Sequence, residues 1–208
     1  MDKLTIYAII VSVSEARLER VLDAAYQCFT RHGVRKTTMD DIAAAAGMSR
    51  PALYQYVRNK EDAFRRLAAR IFDRALARAR EAAAGEGTLT QRLDRILAVK
   101  LAVTQRLFRD SPHASELLGE NSRVSADLDR AFTADMTDLL TSTIIGAAAE
   151  ADLALTDEHA REVAELALAL TRGLEADLSD PDRPRERLRN GIALLVAGLA
   201  AAAKPATR

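Results

Sequence analysis

The chain has no tryptophan, and aromatic side chains make up only 4% of its 208 residues. A core built from this composition has to be aliphatic, and few walls are available for a stacked aromatic ligand. A single cysteine, Cys28, excludes an internal disulfide and points to a reducing compartment, the cytoplasm. Cys28 falls among Val21, Leu22, Ala25 and Phe29, where a lone thiol behaves as a small hydrophobe. The three histidines, His32, His113 and His159, lie far apart with no carboxylate or cysteine at ligand spacing, so no metal is expected. A G-x-S-x-G elbow, a Walker-type phosphate loop and carboxylate pairs with a reason to differ in pKa are all missing. No catalytic residue and no cofactor are therefore expected, and the chain does not read as an enzyme. The apolar run Leu4 to Val13 is about half a bilayer span and has no small-residue cleavage site after it, so neither a membrane anchor nor a signal peptide is expected. A formal net charge of zero speaks against a surface coated with nucleic acid along its whole length.

What the chain does have is helix-forming material. Apolar residues make up 49%, alanine, leucine, arginine and glutamate dominate, and alternating β-branched runs are nearly absent. The length suits one large domain or two small ones.

The most informative stretch is Thr37 to Lys60, TTMDDIAAAAGMSRPALYQYVRNK. Thr38 followed three residues later by Asp41 is a capping-box-like start, and Ile42, Ala43 and Ala46 give the helix one apolar face. Gly47 stops it, Ser49 caps a second helix, and Pro51 sits in that helix's first turn, where its missing N–H costs nothing. Leu53 and Val57 can bury one side of the second helix, which should end before Asn59. Arg50, Ala52, Gln55 and Tyr56 then face outward, with Tyr54 at the margin. Such a face can hydrogen-bond phosphates and base edges in a DNA major groove. From residue 31 to 60 there are six basic side chains (Arg31, Arg35, Lys36, Arg50, Arg58, Lys60) against Asp40 and Asp41, so local charge favours an anionic partner that the net charge hides. Thr38 at the helix start, Tyr54 and Lys60 are expected on phosphates, and Thr37 beside them is expected at the DNA. Arg50, Gln55 and Tyr56 are expected on bases, and Pro51 and Ala52 on sugar or thymine methyl groups.

The run GMSRPALYQYVRNKEDAF, residues 47–64, closely resembles the signature of the TetR family of bacterial transcriptional regulators, through Leu53, Tyr54, Val57, Lys60, Glu61 and Phe64. The resemblance covers about residues 14 to 65. It implies an all-α fold in which an N-terminal three-helix helix-turn-helix DNA-binding domain is joined by a shared fourth helix to a C-terminal helical bundle for ligand binding and dimerisation. The expected divisions are an N-terminal extension over 1–13, the DNA-binding domain over 14–65, and the ligand-binding and dimerisation domain over 66–208. The implied function is that of a ligand-responsive regulator, usually a repressor, binding a palindromic operator in double-stranded DNA as a homodimer. A helical small-molecule or protein-binding dimer without DNA-binding activity is the alternative.

Along the rest of the chain, Ser14 is a candidate cap for a first helix that runs to about His32 and is stopped by Gly33. Asn59 and Asp62 start a fourth helix reaching about Ala84, ahead of a loop at Gly85 and Gly87. Further helices are expected from Leu93 to Phe108, from Pro112 to Leu118, from Val124 to about Ala149, from Thr156 to about Leu178 and from Pro184 to Ala203. Gly173, Gly191 and Gly198 let the last two approach other helices closely, and the resemblance implies that these two form the homodimer interface. A small-molecule effector of unknown identity would be lined by Phe108, His113, Leu117, Phe132 and Met136.

Overall fold

In the computed structural model, which describes residues 3–175, 183–202 and 204–205 and the side chains of residues 5, 13–175 and 183–201, helix follows helix. The order is α1 (Lys3–Lys36), α2 (Met39–Ala45), α3 (Arg50–Leu53), α4 (Lys60–Ala84), α5 (Leu89–Asp110), α6 (Ala114–Val124), α7 (Ala126–Glu150), α8 (Asp157–Leu174) and α9 (Arg183–Ala202). The fold is all-α, apart from a two-residue pairing of β1 (Leu153–Ala154) with β2 (Lys204–Pro205), antiparallel with Leu153 opposite Pro205. Helix α1 starts at Lys3, so Ser14 lies inside it and does not cap it; the apolar run before Ser14 continues the helix. The expected ends of the last two helices at Leu178 and Ala203 lie outside the described residues.

The contacts group the chain into two units, Met1–Arg70 with Phe108–Ala126, and Ile71–Leu107 with Asp127–Arg208. Residues 66–70 and 108–126, expected in the C-terminal domain, thus pack in the N-terminal unit, and polar contacts explain why. The Tyr26 hydroxyl donates to Asp110 Oδ2 at 2.9 Å, Ser111 Oγ donates to the Thr30 carbonyl at 2.7 Å, and Arg65 Nη1 donates to the Val124 carbonyl at 3.0 Å. Beneath them lies an apolar core of Val21, Leu22, Ala25, Phe29, Ile42, Ala46, Leu53, Val57, Phe64 and Leu67, all buried, with the Phe29 and Phe64 rings 5.6 Å apart. Burying a side chain of the Leu53 or Ile42 kind stabilises by about 1.5–3 kcal/mol.

The α1–α2 corner is fixed from three sides. Gly33 breaks the helix at φ +78° and ψ 160°, a region essentially reserved for glycine. Thr37, itself buried, donates its hydroxyl towards the carbonyls of Gly33 and Cys28, at 2.7 and 3.1 Å. Lys60 Nζ donates to the carbonyls of Arg35 and Thr37 at 3.2 and 3.0 Å, and the Arg35 N–H donates to Glu116 Oε1 at 2.8 Å.

In the second unit, α5, α7, α8 and α9 converge on Leu93, Ile96, Leu97, Leu101, Met136, Leu140, Ile144, Leu168, Leu188 and Ile192. Phe72 stacks on Phe132 with ring centroids 4.9 Å apart. Gly191 lets α9 approach α8, because a Cβ there would meet the Leu170 side chain. Two ion pairs tie the bundle further: Lys100 Nζ to Glu175 at 2.7 Å, and the Arg185 fork on Asp94.

The two glycines Gly33 and Gly119 should respond to alanine with opposite signs. A Cβ on Gly33 would lie 2.5 Å from Glu116 Oε2 on a backbone with positive φ, whereas Gly119, inside α6, faces open space. Gly33→Ala is expected to cost about 1–3 kcal/mol; Gly119→Ala should stabilise by about 0.5–1 kcal/mol. Urea unfolding of both variants checks this, and similar losses at both positions would refute the distinction.

Candidate nucleic-acid interface

The candidate surface is assembled from caps outward. Thr38 is extended, at φ −109° and ψ 165°, and its hydroxyl oxygen accepts the Asp41 N–H while the Asp41 carboxylate accepts the Thr38 N–H, which completes a capping box. The Thr38 hydroxyl also lies 2.7 Å from Asp41 Oδ2 as a donor. That hydroxyl, with the backbone N–H behind it, holds the Asp41 carboxyl below its ordinary range. At the other end of α2 the N–H of Met48 reaches the Ala43 carbonyl and that of Gly47 the Ala44 carbonyl, the two bonds of a Schellman stop, with Gly47 at φ +66°. Ser49 then caps α3 through the Ala52 N–H, and Pro51 occupies the first turn as expected.

Helix α3 is shorter than its sequence pattern implies. It ends at Leu53, and the N–H groups of Gln55 and Tyr56 bond three residues back, to Ala52 and Leu53, so Tyr54, Gln55 and Tyr56 sit on a tightened turn. Leu53 and Val57 are fully buried and fix this segment to the core. Arg50, Pro51, Tyr54 and Gln55 are exposed side by side, and Ala52 and Tyr56 are half-buried. Of the residues expected on bases, Arg50 and Gln55 are thus exposed, with Tyr56 half-buried beside them. Two expected DNA contacts are differently engaged. Thr37 is 1% exposed with its hydroxyl committed to carbonyls, so it serves the corner and not a ligand. Lys60 directs its ammonium at two carbonyls, which uses two of its three protons.

The start of α4 is held as tightly. Asn59 Oδ1 accepts the Asp62 N–H at 2.8 Å, and the Asp62 carboxylate accepts the N–H and guanidinium of Arg58 and the guanidinium of Arg66. Burial pushes the Asp62 pKa up, but these hydrogen bonds and the Arg66 charge outweigh it, and the net shift is downward from 3.8.

Charge pattern alone did not reveal what Asp40 does. The residue interrupts a basic stretch of sequence, and in the fold its Oδ2 accepts from Arg50 Nη1 at 2.9 Å. Arg50 Nη2 also donates to the Tyr54 hydroxyl at 3.3 Å, and its guanidinium lies 5.7 Å from the centre of the Tyr54 ring. The hydrogen bond to Tyr54 and the Asp40 charge together raise the Arg50 pKa further.

The proposed effector lining is dispersed. Phe108, His113 and Leu117 lie in the N-terminal unit, with Phe108 exposed, Leu117 buried and His113 Nδ1 3.9 Å from Glu116 Oε2. Phe132 and Met136 are buried in the core of the other unit. Two depressions in that unit, of about 310 and 290 Å³, border none of the five. The larger is lined by aliphatic groups including Leu89, Leu153, Val196 and Leu199, with Glu150 among them. Among the described residues no group of three or more His, Cys, Asp or Glu is placed to hold a metal ion, and no helix is long and apolar enough to cross a membrane.

Comparison with known proteins adds to this geometry. Residues 21–67 match the family model described as bacterial regulatory proteins, tetR family. Over 115 residues, 51% of this chain and 59% of the relative, the chain is 31% identical to the HTH-type transcriptional repressor Rv1474c of Mycobacterium tuberculosis. Over 99 residues, 48% of this chain and 47% of the relative, it is 34% identical to an uncharacterized HTH-type transcriptional regulator, Rv1255c, of the same species. The chain thus spans about half the length of the curated relatives it matches. Among solved structures, a transcriptional regulator from Rhodococcus sp. Rha1 is similar at TM-score 0.67 and 21% identity, over 87% of this chain and 96% of that one. A TetR-family transcriptional regulator from Streptomyces coelicolor is similar at TM-score 0.59 and 22% identity, over 88% and 98%. A SmeT–triclosan complex is similar at TM-score 0.62 and 23% identity, over 89% and 91%. At these identities the structural likeness is one of fold.

Because the folded pKa of Asp62 lies below its unfolded value, the stabilisation it brings is complete above about pH 4 and is lost as pH falls through the lowered pKa. Asp62→Asn should therefore be less stable than the parent at pH 7 and should lose less stability between pH 5 and pH 2. Urea midpoints across that range check it; parallel pH curves for the two proteins would refute the assignment.

Proposed function

We propose that this chain, which carries the DNA-binding domain of the tetR family of bacterial regulatory proteins, is a transcriptional regulator that acts as a homodimer on a palindromic operator and responds to a small molecule. The observation that carries the reading is the α2–turn–α3 surface. Its caps and its buried Leu53 and Val57 are complete, and its outer side still presents Arg50, Pro51, Tyr54 and Gln55 together. In a major groove Arg50 would fork onto guanine and Gln55 onto adenine, with the Tyr54 hydroxyl, which keeps its own proton to donate, on a phosphate. That the relative Rv1474c is described as a repressor supports repression as the mode of action.

A dimer through α8 and α9 is supported by what these helices leave uncovered. Leu194 is 75% exposed and Leu166 56% exposed, and both border a shallow groove with Val163, Leu195 and Gly198. Exposed leucines flanked by small residues suit a close helical contact with a second copy. Two-fold symmetry would then set two α3 segments against the two halves of an inverted repeat. The aliphatic depressions in the same unit support an apolar effector, whose differential affinity for two states would release the DNA.

The test is fluorescence anisotropy with DNA from upstream of the chain's own gene and with duplexes selected from random sequence, across a salt series. The full chain should bind a selected palindrome with steep salt dependence, and Tyr54→Ala should bind at least about ten-fold more weakly. Failure to select any sequence would refute the DNA-reading function. Leu166→Glu combined with Leu194→Glu should sediment as a monomer and lose the palindrome; an unchanged dimer would place the interface elsewhere.

A further inference from the structure

We propose that Asp40 is a specificity-determining positioning residue: its carboxylate, fixed on α2, holds the Arg50 guanidinium in the orientation in which Arg50 reads guanine and keeps it off phosphates. The proposal rests on the DNA-reading function above.

Stability does not explain the pair. The Arg50 and Asp40 side chains are 54% and 65% exposed, and exposed pairs of this kind contribute little to folding. Affinity does not explain it either. A carboxylate within a Debye length of bound phosphates repels them, so Asp40 opposes DNA binding wherever it is not compensated. What the carboxylate does accomplish is geometric. Arg50 Nη1 is held by Asp40 Oδ2 at 2.9 Å, Nη2 by the Tyr54 hydroxyl at 3.3 Å, and the guanidinium lies 5.7 Å from the Tyr54 ring centre.

A guanidinium has five N–H groups in one plane, so these two bonds leave three, with one further hydrogen on each Nη available for a planar fork. An arginine tethered on two sides cannot swing freely to the nearest phosphate, and phosphate contacts carry no sequence information. A tether that disfavours the sequence-independent contact more than the specific one raises discrimination while lowering affinity overall. The anchor is itself rigid. Asp40 is in the first turn of α2, between the Thr38 cap and the buried Ile42, so its carboxylate moves with a fixed helix and not with a loop.

The signature is a pair of opposite changes that a merely structural residue would not produce. The full chain, Asp40→Asn, Arg50→Ala and the double variant are titrated by anisotropy on the selected operator, on random duplex, and on operators carrying 7-deazaguanine in place of each guanine in turn. Removing N7 at one guanine per half-site should weaken the parent roughly ten-fold. Asp40→Asn should bind random duplex at least as tightly as the parent, with a salt slope steeper by about one, and should lose most of that guanine penalty. In the Arg50→Ala background, Asp40→Asn should leave discrimination unchanged, because the effect passes through Arg50. Thermal midpoints of the single variants should match the parent. The inference is overturned if Asp40→Asn keeps the full 7-deazaguanine penalty, if it weakens all duplexes equally, or if its loss of discrimination persists without Arg50. A parent that does not tell operator from random duplex at all overturns the function on which this rests, and is recognised before any variant is compared.

Discussion

The carbonyl end of α1 is the constraint on which the N-terminal unit depends. A helix that stops leaves acceptors without partners and the negative end of a dipole, and here they are answered by Thr37, whose hydroxyl points back to Gly33 and Cys28, and by the Lys60 ammonium on the carbonyls of Arg35 and Thr37. One cation, at the first residue of α4, thereby sets where α2 departs from α1. The positions of Arg50, Tyr54 and Gln55 follow from that corner, since the Gly47 stop and the Ser49 cap leave α3 little freedom relative to α2. Lys60 serves the fold first, and any phosphate it meets shares it with two carbonyls.

How much of this was legible in the sequence depends on distance along the chain. The Thr38–Asp41 box, the Gly47 stop, the Ser49 cap with Pro51, and the Asn59 cap all follow from rules spanning three or four residues, and each stands where the pattern places it. Ser14 has the right chemistry for a cap but not the role, because the apolar residues before it extend the helix. Contacts between distant residues carry no periodic signal. Asp40 and Arg50 lie 10 positions apart and Arg35 and Glu116 81 positions apart, and both gaps are crossed only once the chain has folded, so neither partner could be named. Thr37 shows the same limit in another way. Its neighbour Thr38 is a cap at the surface, and nothing in a Thr-Thr pair says which one turns inward.

Electrostatically the N-terminal unit is a compromise. Its basic side chains surround a surface on which Asp40, Asp41 and Asp62 are retained, and each of these carboxylates has a partner in the folded chain: the Arg50 guanidinium, the Thr38 cap, and the Arg58 and Arg66 pair. These pairings offset part of the local basic charge and fix the side chains that carry it. The neutral overall charge of the chain is the sum of many such local settlements, which is why it says so little about the partner.

The placement of residues 108–126 with the N-terminal unit has a consequence in time as well as in space. The α1–α3 segment is synthesised by residue 60, yet the groups that latch its core, Ser111, Glu116 and Arg123 among them, emerge from the ribosome only after the intervening residues 71–107. At roughly 5–20 residues per second that is a delay of some seconds. Until then the apolar core of the N-terminal unit lacks residues 108–126, which pack with it in the finished chain, and the intervening segment forms a loop whose ends meet when the unit closes. Completion of the N-terminal unit thus waits on elongation through residues 71–107, and a chain stalled between residues 70 and 108 would lack the segment that closes it.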